Sequence, residues 1–162
     1  MLEAQAERLK QAIQAVEEHE YHKLVLLVGG FASGKTRLMR QVCDEVGGVY
    51  LNVNLELTRQ LLTIDARTYA RKASSILEDL CDAQEARPPL FVDNVELLFS
   101  PEVGCLNPVD LFKKASRERL IVLSLPCRLM GLARAEYSEP GRQDHMSLDL
   151  AGVAVIDLSE GA

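Results

Sequence analysis

The chain of 162 residues has no apolar run long enough to cross a bilayer. Its first residues, Met1-Leu2-Glu3-Ala4-Gln5, lack the hydrophobic core of a signal peptide. The expected location is therefore the cytoplasm, with no membrane partner. No two cysteines have the C-x-x-C spacing, because Cys43, Cys81, Cys105 and Cys127 stand far apart. That argues against a zinc site or a thioredoxin-like centre, and for small buried side chains in a reducing compartment. Excess positive charge is missing too: 18 Lys and Arg face 24 Asp and Glu, for a net charge of −6. Such a chain does not bind nucleic acid over its whole surface, although a local basic patch remains compatible with it. Internal repeats and low-complexity tracts are absent. What is left is one domain's length of chain with 48% hydrophobic residues, enough for a sizeable core.

Within that chain one stretch organises the rest. Gly29-Gly30-Phe31-Ala32-Ser33-Gly34-Lys35-Thr36 has the pattern G-x-x-x-x-G-K-T. It follows the apolar run Leu24–Val28 and opens an amphipathic stretch from Arg37. The glycines let backbone amides turn inward around an anion, and the following helix N-terminus adds partial positive charge. Lys35 is expected to reach the β- and γ-phosphates, and the Thr36 hydroxyl to bind Mg²⁺. Gly29 to Thr36, with Arg37, thus form the expected nucleotide cradle. The bland alternative is a glycine-rich turn followed by Lys-Thr.

Leu2, Ala6, Leu9, Ile13 and Val16 alternate at spacings of four and three and predict an amphipathic helix over about 2–19. It either packs on the flank of the domain or forms a seam with another subunit. Residues 1–22 are accordingly read as a helix plus linker, and 23–162 as the main domain. Tyr21, before the first strand, either stacks on adenine or packs at the surface. The second strand is expected at Val49–Val53, ending in Asn54. Residues 55–86 predict two helices with a break near Thr63-Ile64-Asp65, Asp65 capping the second, and Arg87-Pro88-Pro89 ends them.

Leu90-Phe91-Val92-Asp93-Asn94 is an apolar run ending in an acid. In P-loop proteins an acid at the carboxyl edge of a strand beside the P-loop strand supports the Mg²⁺ shell, so Asp93 is the second expected metal residue. Its alternative is a helix N-cap, since Val95–Phe99 has the makings of a short helix. Pro108–Arg117 predicts a helix capped by Asn107 and followed by a fourth strand, Leu120–Leu125. Ser124 near the end of that strand is expected to contact the γ-phosphate or orient water, or else to bond the backbone. The basic residues Lys113, Lys114, Arg117 and Arg119 end the helix favourably. They also present Arg117 or Arg119 as an arginine that acts on a neighbouring subunit's nucleotide, and the cluster as a surface for DNA phosphates. Pro126–Ser147 reads as irregular, and Val153–Leu158 as a last strand.

Strands alternating with helices predict an α/β fold, a doubly wound parallel five-stranded sheet. The P-loop, Asp93 and Ser124 all fall at carboxyl ends of strands, where such sheets bind ligands. Their order favours the additional-strand, AAA+-like type of P-loop NTPase over nucleotide kinases. Two departures stand out. The residue after Asp93 is Asn94, where a water-activating Glu is usual, and an amide positions water without taking its proton. After the fifth strand little chain remains for a C-terminal lid domain.

Several segments together resemble BrxF, a small bacterial P-loop family of type 3 BREX phage-defence systems. They are Leu26–Gly29 leading into Ser33–Thr36, Asn52-Val53-Asn54-Leu55-Glu56-Leu57, Val92-Asp93-Asn94-Val95-Glu96-Leu97-Leu98-Phe99, and Ser116–Val122. The resemblance covers roughly residues 20–160 and makes Asp93-Asn94 a family trait. It implies a role beside larger defence components: a methyltransferase, a phosphatase-like protein and other ATPases.

The leading expectation is an oligomeric ATPase that uses Mg²⁺ and ATP, with Lys35, Asp93, Asn94, Ser124 and Arg117 or Arg119 at work. ATP is favoured because the Asn-Lys-x-Asp guanine motif is missing. The alternatives are an assembly module that binds nucleotide and scarcely hydrolyses it, and a small-molecule kinase.

Overall fold

The run Leu24–Val28 is apolar at every position because both of its faces are covered. In the computed structural model it is the strand β1, each of its residues at most 1% exposed. The structure describes residues 2–19, 21–30 and 32–158. Around β1 run β2 (Val49–Asn52), β3 (Leu90–Asp93), β4 (Ile121–Leu125) and β8 (Ala154–Asp157). All pairings are parallel, in the order β2-β3-β4-β1-β8. The expected five-stranded parallel sheet is therefore present. β3 is not beside β1, however, because β4 lies between them.

Alternation along the strands sends side chains to two cores. Val25 and Leu27 face the helices α1 (Leu2–His19) and α2 (Lys35–Val46), where they meet Leu9, Val16, Leu38 and Val42. Leu24, Leu26 and Val28 face the other side, among residues of α3 (Val53–Leu61), α4 (Tyr69–Asp82) and α5 (Pro108–Ala115). Helices thus cover both faces, as doubly wound sheets require. The stripe Ala6, Leu9, Ile13 and Val16 of α1 is buried within its own chain, so those residues form no seam with another subunit.

Two readings differ from expectation, each for a local reason, and one boundary between them agrees. β2 stops at Asn52, whose side chain accepts a hydrogen bond from the Leu55 amide and caps α3. A cap is a stronger signal than the β-propensity of Val53. The break before α4 falls where predicted, with Asp65 accepting from the Arg67 amide. The stretch read as irregular holds a three-stranded antiparallel sheet: β5 (Arg128–Leu129), β6 (Arg134–Tyr137) and β7 (Met146–Asp149). Ala135 and Leu148 point inward, and the Tyr137 ring stacks on Phe99 at 3.8 Å. Strands this short carry their period-2 pattern over too few residues to outweigh Pro140-Gly141 and the surrounding charge.

Cys43, Cys81 and Cys127 are buried, and burial pushes the thiols of Cys81 and Cys127 up to about 11 and about 12. Cys105 is exposed, against expectation. A thiolate-specific reagent at neutral pH should therefore titrate one rapid thiol in the native protein and four after denaturation. Three rapid native thiols would contradict this packing.

Candidate functional site

The loop after β1 turns tightly. Gly29 donates its amide to the Leu125 carbonyl, and Ser33 donates its amide to Gly30. A Cβ on Gly29 would lie 2.6 Å from Ser33 Oγ and 3.0 Å from Ser33 Cβ, so any larger residue there would have to displace Ser33. Gly34 has φ 88° as the residue leading into α2, a conformation that costs other residues about 1–2 kcal/mol. Lys35 folds back over this turn. Its Nζ donates to the carbonyls of Gly29 at 2.6 Å and Gly30 at 2.7 Å, and lies 3.3 Å from Ser33 Oγ. Burial lowers its pKa, while the charges of Asp93 and Glu96 push back.

Asp93 ends β3 and is 2% exposed. Two hydroxyls donate to its Oδ2: Thr36 Oγ1 at 2.7 Å and Tyr50 Oη at 2.7 Å. Its Oδ1 accepts the Asn94 amide at 3.0 Å. The Arg40 guanidinium lies over the Tyr50 ring, 4.4 Å from its centre. Burial and the Asp93 carboxylate hold the Tyr50 hydroxyl in its protonated, donating form. A chain of contacts thus runs from Arg40 through Tyr50 to the acid and on to Thr36.

The Thr36 hydroxyl and the Asp93 carboxylate, in direct contact, are hard oxygen donors and few in number. That donor set suits Mg²⁺, which keeps several of its waters. Among the described residues no group of three or more His, Cys, Asp or Glu gathers to hold a metal unaided. Thr36 and Asp93 would hold the ion, and when bound it would neutralise phosphate charge.

Asn94 has φ 57°. Asn is among the few residues that enter this region readily, so backbone shape accounts for an amide after Asp93 independently of any chemistry. Asn94→Gly should leave the unfolding free energy nearly unchanged, and Asn94→Ala should lower it by about 1 kcal/mol in urea titrations. Equal costs for the two would remove this explanation.

A cleft of about 270 Å³ opens beside the loop, lined by Ala32 to Arg37, Asp93, Asn94 and Glu96. It brings together most of the sequence-predicted residues; Gly29 and Gly30 contribute through their carbonyls to Lys35. Phe31 lies outside the described residues. Ser124 is buried under the sheet's end, in register with Leu27, and is not part of the cleft lining. Arg117 and Arg119 do not approach the loop of their own chain. Arg119 precedes β4 at the amino edge of the sheet, where its Nη2 donates to the Pro88 carbonyl at 2.8 Å. Arg117 stands 5.5 Å over the ring of Tyr21, itself 70% exposed. Tyr21 is thus at the edge opposite the Gly29–Thr36 loop, as the packing alternative expects. Lys113, Lys114 and Arg117 share a shallow surface depression with His22 and Asp110.

Two side chains of the site carry no motif in the sequence. Tyr50 is the one hydroxyl in a short strand, and only the β2–β3 register, Tyr50 against Phe91, carries it to Asp93. Glu96 sits in the 3-10 turn after β3 and accepts from Asn54 Nδ2 at 2.8 Å. Its proximity in sequence to Asp93 was the available signal.

No family model matches the chain, and no curated protein does. Among solved structures the chain is similar to C. elegans PCH-2, at 15% identity and a TM-score of 0.40 over 81% of its length. It spans 37% of the length of that protein. A likeness of this size carries no conclusion about activity.

Proposed function

We propose that the chain binds Mg²⁺-ATP in the Gly29–Thr36 loop and hydrolyses it, as a P-loop ATPase of the additional-strand, AAA+-like type. The observation that carries the reading is the 2.7 Å contact of Thr36 Oγ1 with Asp93 Oδ2, made beside a lysine curled into a glycine turn. The strand order supports it: β4 is inserted between the loop-bearing strand and the acid-bearing strand. Lys35 and the loop amides hold the phosphates, Thr36 and Asp93 support the metal, and Asn94 at the rim positions water.

Gly30, Ala32, Gly34, Thr36 and Arg37 are exposed, and the cleft is at the small end for a whole ligand. Both facts favour a site that a second copy covers, with Arg117 or Arg119 supplied across the boundary. The sequence resemblance to BrxF extends the proposal to an ATPase subunit acting beside other BREX components in phage defence. Lys113, Lys114, Arg117 and Arg119 would touch DNA phosphates if copies align them.

The amide at Asn94 favours a second reading, an assembly module that binds ATP and turns it over very slowly. Phosphate release with Mg²⁺-ATP, with and without DNA, together with mass measured with ATP, with ADP and without nucleotide, separates the two. The first expects turnover and a nucleotide-bound oligomer; assembly with no phosphate release at any protein concentration leaves only the second.

A further inference from the structure

A P-loop site that hydrolyses ATP needs an acceptor for the proton of the attacking water, and neither Asp93 nor Asn94 suits that task. Both oxygens of Asp93 already accept donors, from Thr36, Tyr50 and the Asn94 amide. The Asn94 side chain is an amide and takes no proton. Among the described residues the cleft beside the loop has one further carboxylate, Glu96. It is half-buried and close enough to Lys35 for their charges to interact.

Glu96 is also held. Asn54, in the first turn of α3, makes three bonds to the turn that carries it. Its amide donates to the Asn94 carbonyl at 2.8 Å, its Oδ1 accepts from the Leu97 amide at 2.9 Å, and its Nδ2 donates to Glu96 Oε2 at 2.8 Å. Other glutamates that are held, such as Glu45 and Glu56, are bonded on the surface and away from the cleft. This one is clamped by a side chain more than forty residues away and engaged through a single carboxylate oxygen.

We infer that Glu96 is the general base of the reaction and that Asn54 is its positioning residue. The proposal rests on the hydrolytic reading above. Water adds through its oxygen to the γ-phosphorus as the bond from that phosphorus to the β–γ bridging oxygen breaks. The electron pair of the broken bond leaves with ADP. The proton of the water passes to the Glu96 carboxylate, which then releases it to solvent. The base thus comes from a turn beyond the acid strand, three residues after Asp93, where the left-handed backbone at Asn94 re-aims the chain.

The test uses the full chain and two variants that preserve local shape. Glu96→Gln retains an acceptor for Asn54 Nδ2 and should lower kcat by about 10²- to 10⁴-fold. The Kd for a fluorescent ATP analogue should stay within about twofold. The wild-type kcat should fall on the acid side as the carboxylate protonates, and Glu96→Gln should lack that limb. Asn54→Asp keeps the acceptor for the Leu97 amide, removes the donor to Glu96, and sets a second carboxylate beside it. Both changes favour the protonated form of Glu96, so the acid limb should move to higher pH. A purely structural role for Asn54 would leave the limb in place. Wild-type turnover retained by Glu96→Gln, or lost nucleotide affinity in that variant, overturns the assignment while leaving the ATPase reading standing. Tight nucleotide binding by the wild type with no turnover overturns both.

Discussion

Lys35→Ala is expected to weaken ATP binding by about 100-fold or more and to remove measurable turnover. The ammonium group sits in the loop with its protons directed at the Gly29 and Gly30 carbonyls. Phosphate oxygens offer it a better partner than neutral carbonyls, because charge-assisted hydrogen bonds are roughly twice as strong. Truncating one member of a buried charged contact typically costs 2–5 kcal/mol, and 2.7 kcal/mol is about a factor of 100. The fold should survive, because the cradle is made by backbone. Equilibrium titration with a fluorescent ATP analogue checks the affinity, and circular dichroism checks the fold; wild-type affinity in the variant would remove the phosphate-loop assignment. A pH dependence follows from the same group. Burial lowers the pKa of Lys35 in the free protein, and a bound polyphosphate would favour the ammonium form. The bound state then holds more protons than the free state at alkaline pH. ATP affinity should therefore fall as pH rises through the titration of Lys35, and Lys35→Ala should lack that fall.

Asp93→Ala has the second large effect, on stability and metal together. Three donors converge on this carboxylate: the hydroxyls of Thr36 and Tyr50 and the Asn94 amide. Hydrogen bonds to a charged group contribute about 1.5–3 kcal/mol each, against which stands the cost of burying the charge at 2% exposure. Water reaches the exposed Thr36 and softens its loss. The balance is a loss of about 2 kcal/mol in unfolding free energy, read from the urea midpoint. Mg²⁺ should no longer strengthen ATP binding, while the weaker binding measured in EDTA should remain. Tyr50→Phe removes one donor and keeps the ring under Arg40. It should cost about 1 kcal/mol and raise the Mg²⁺ concentration for half-maximal turnover. Unchanged Mg²⁺ dependence in Asp93→Ala would sink the metal role.

The parts of the site legible in the sequence were those that obey local rules. Gly29–Thr36 is read from a pattern because a tight glycine-rich turn between a strand and a helix is encoded in consecutive residues. Asp93 is legible because it ends a four-residue apolar strand. Tyr50 was not legible: its role depends on β2 pairing with β3 in one register, and a slip of one residue would turn it to the other face. Glu96 and Asn54 were not legible as a pair, since two separate segments must meet before either restrains the other. Ser124 is given a role at the loop because a strand end is a good place for a ligand; its side chain is as buried as that of Asp93 and is not among the residues that line the cleft.

By itself the sequence determined the glycine-rich turn after the first strand, the alternation of apolar strands with amphipathic helices, and the placing of an acid at a strand end. Each follows from periodicity, capping or glycine freedom within a dozen residues. Only the tertiary structure decided the strand order, with β4 between the loop strand and the acid strand. It alone set Thr36 against Asp93, set Asn54 against Glu96, and carried Arg117 and Arg119 to the far edge of the sheet. The reason is physical. Local signals fix what a segment becomes, whereas parallel pairing between distant segments is settled by how all of them bury their faces at once.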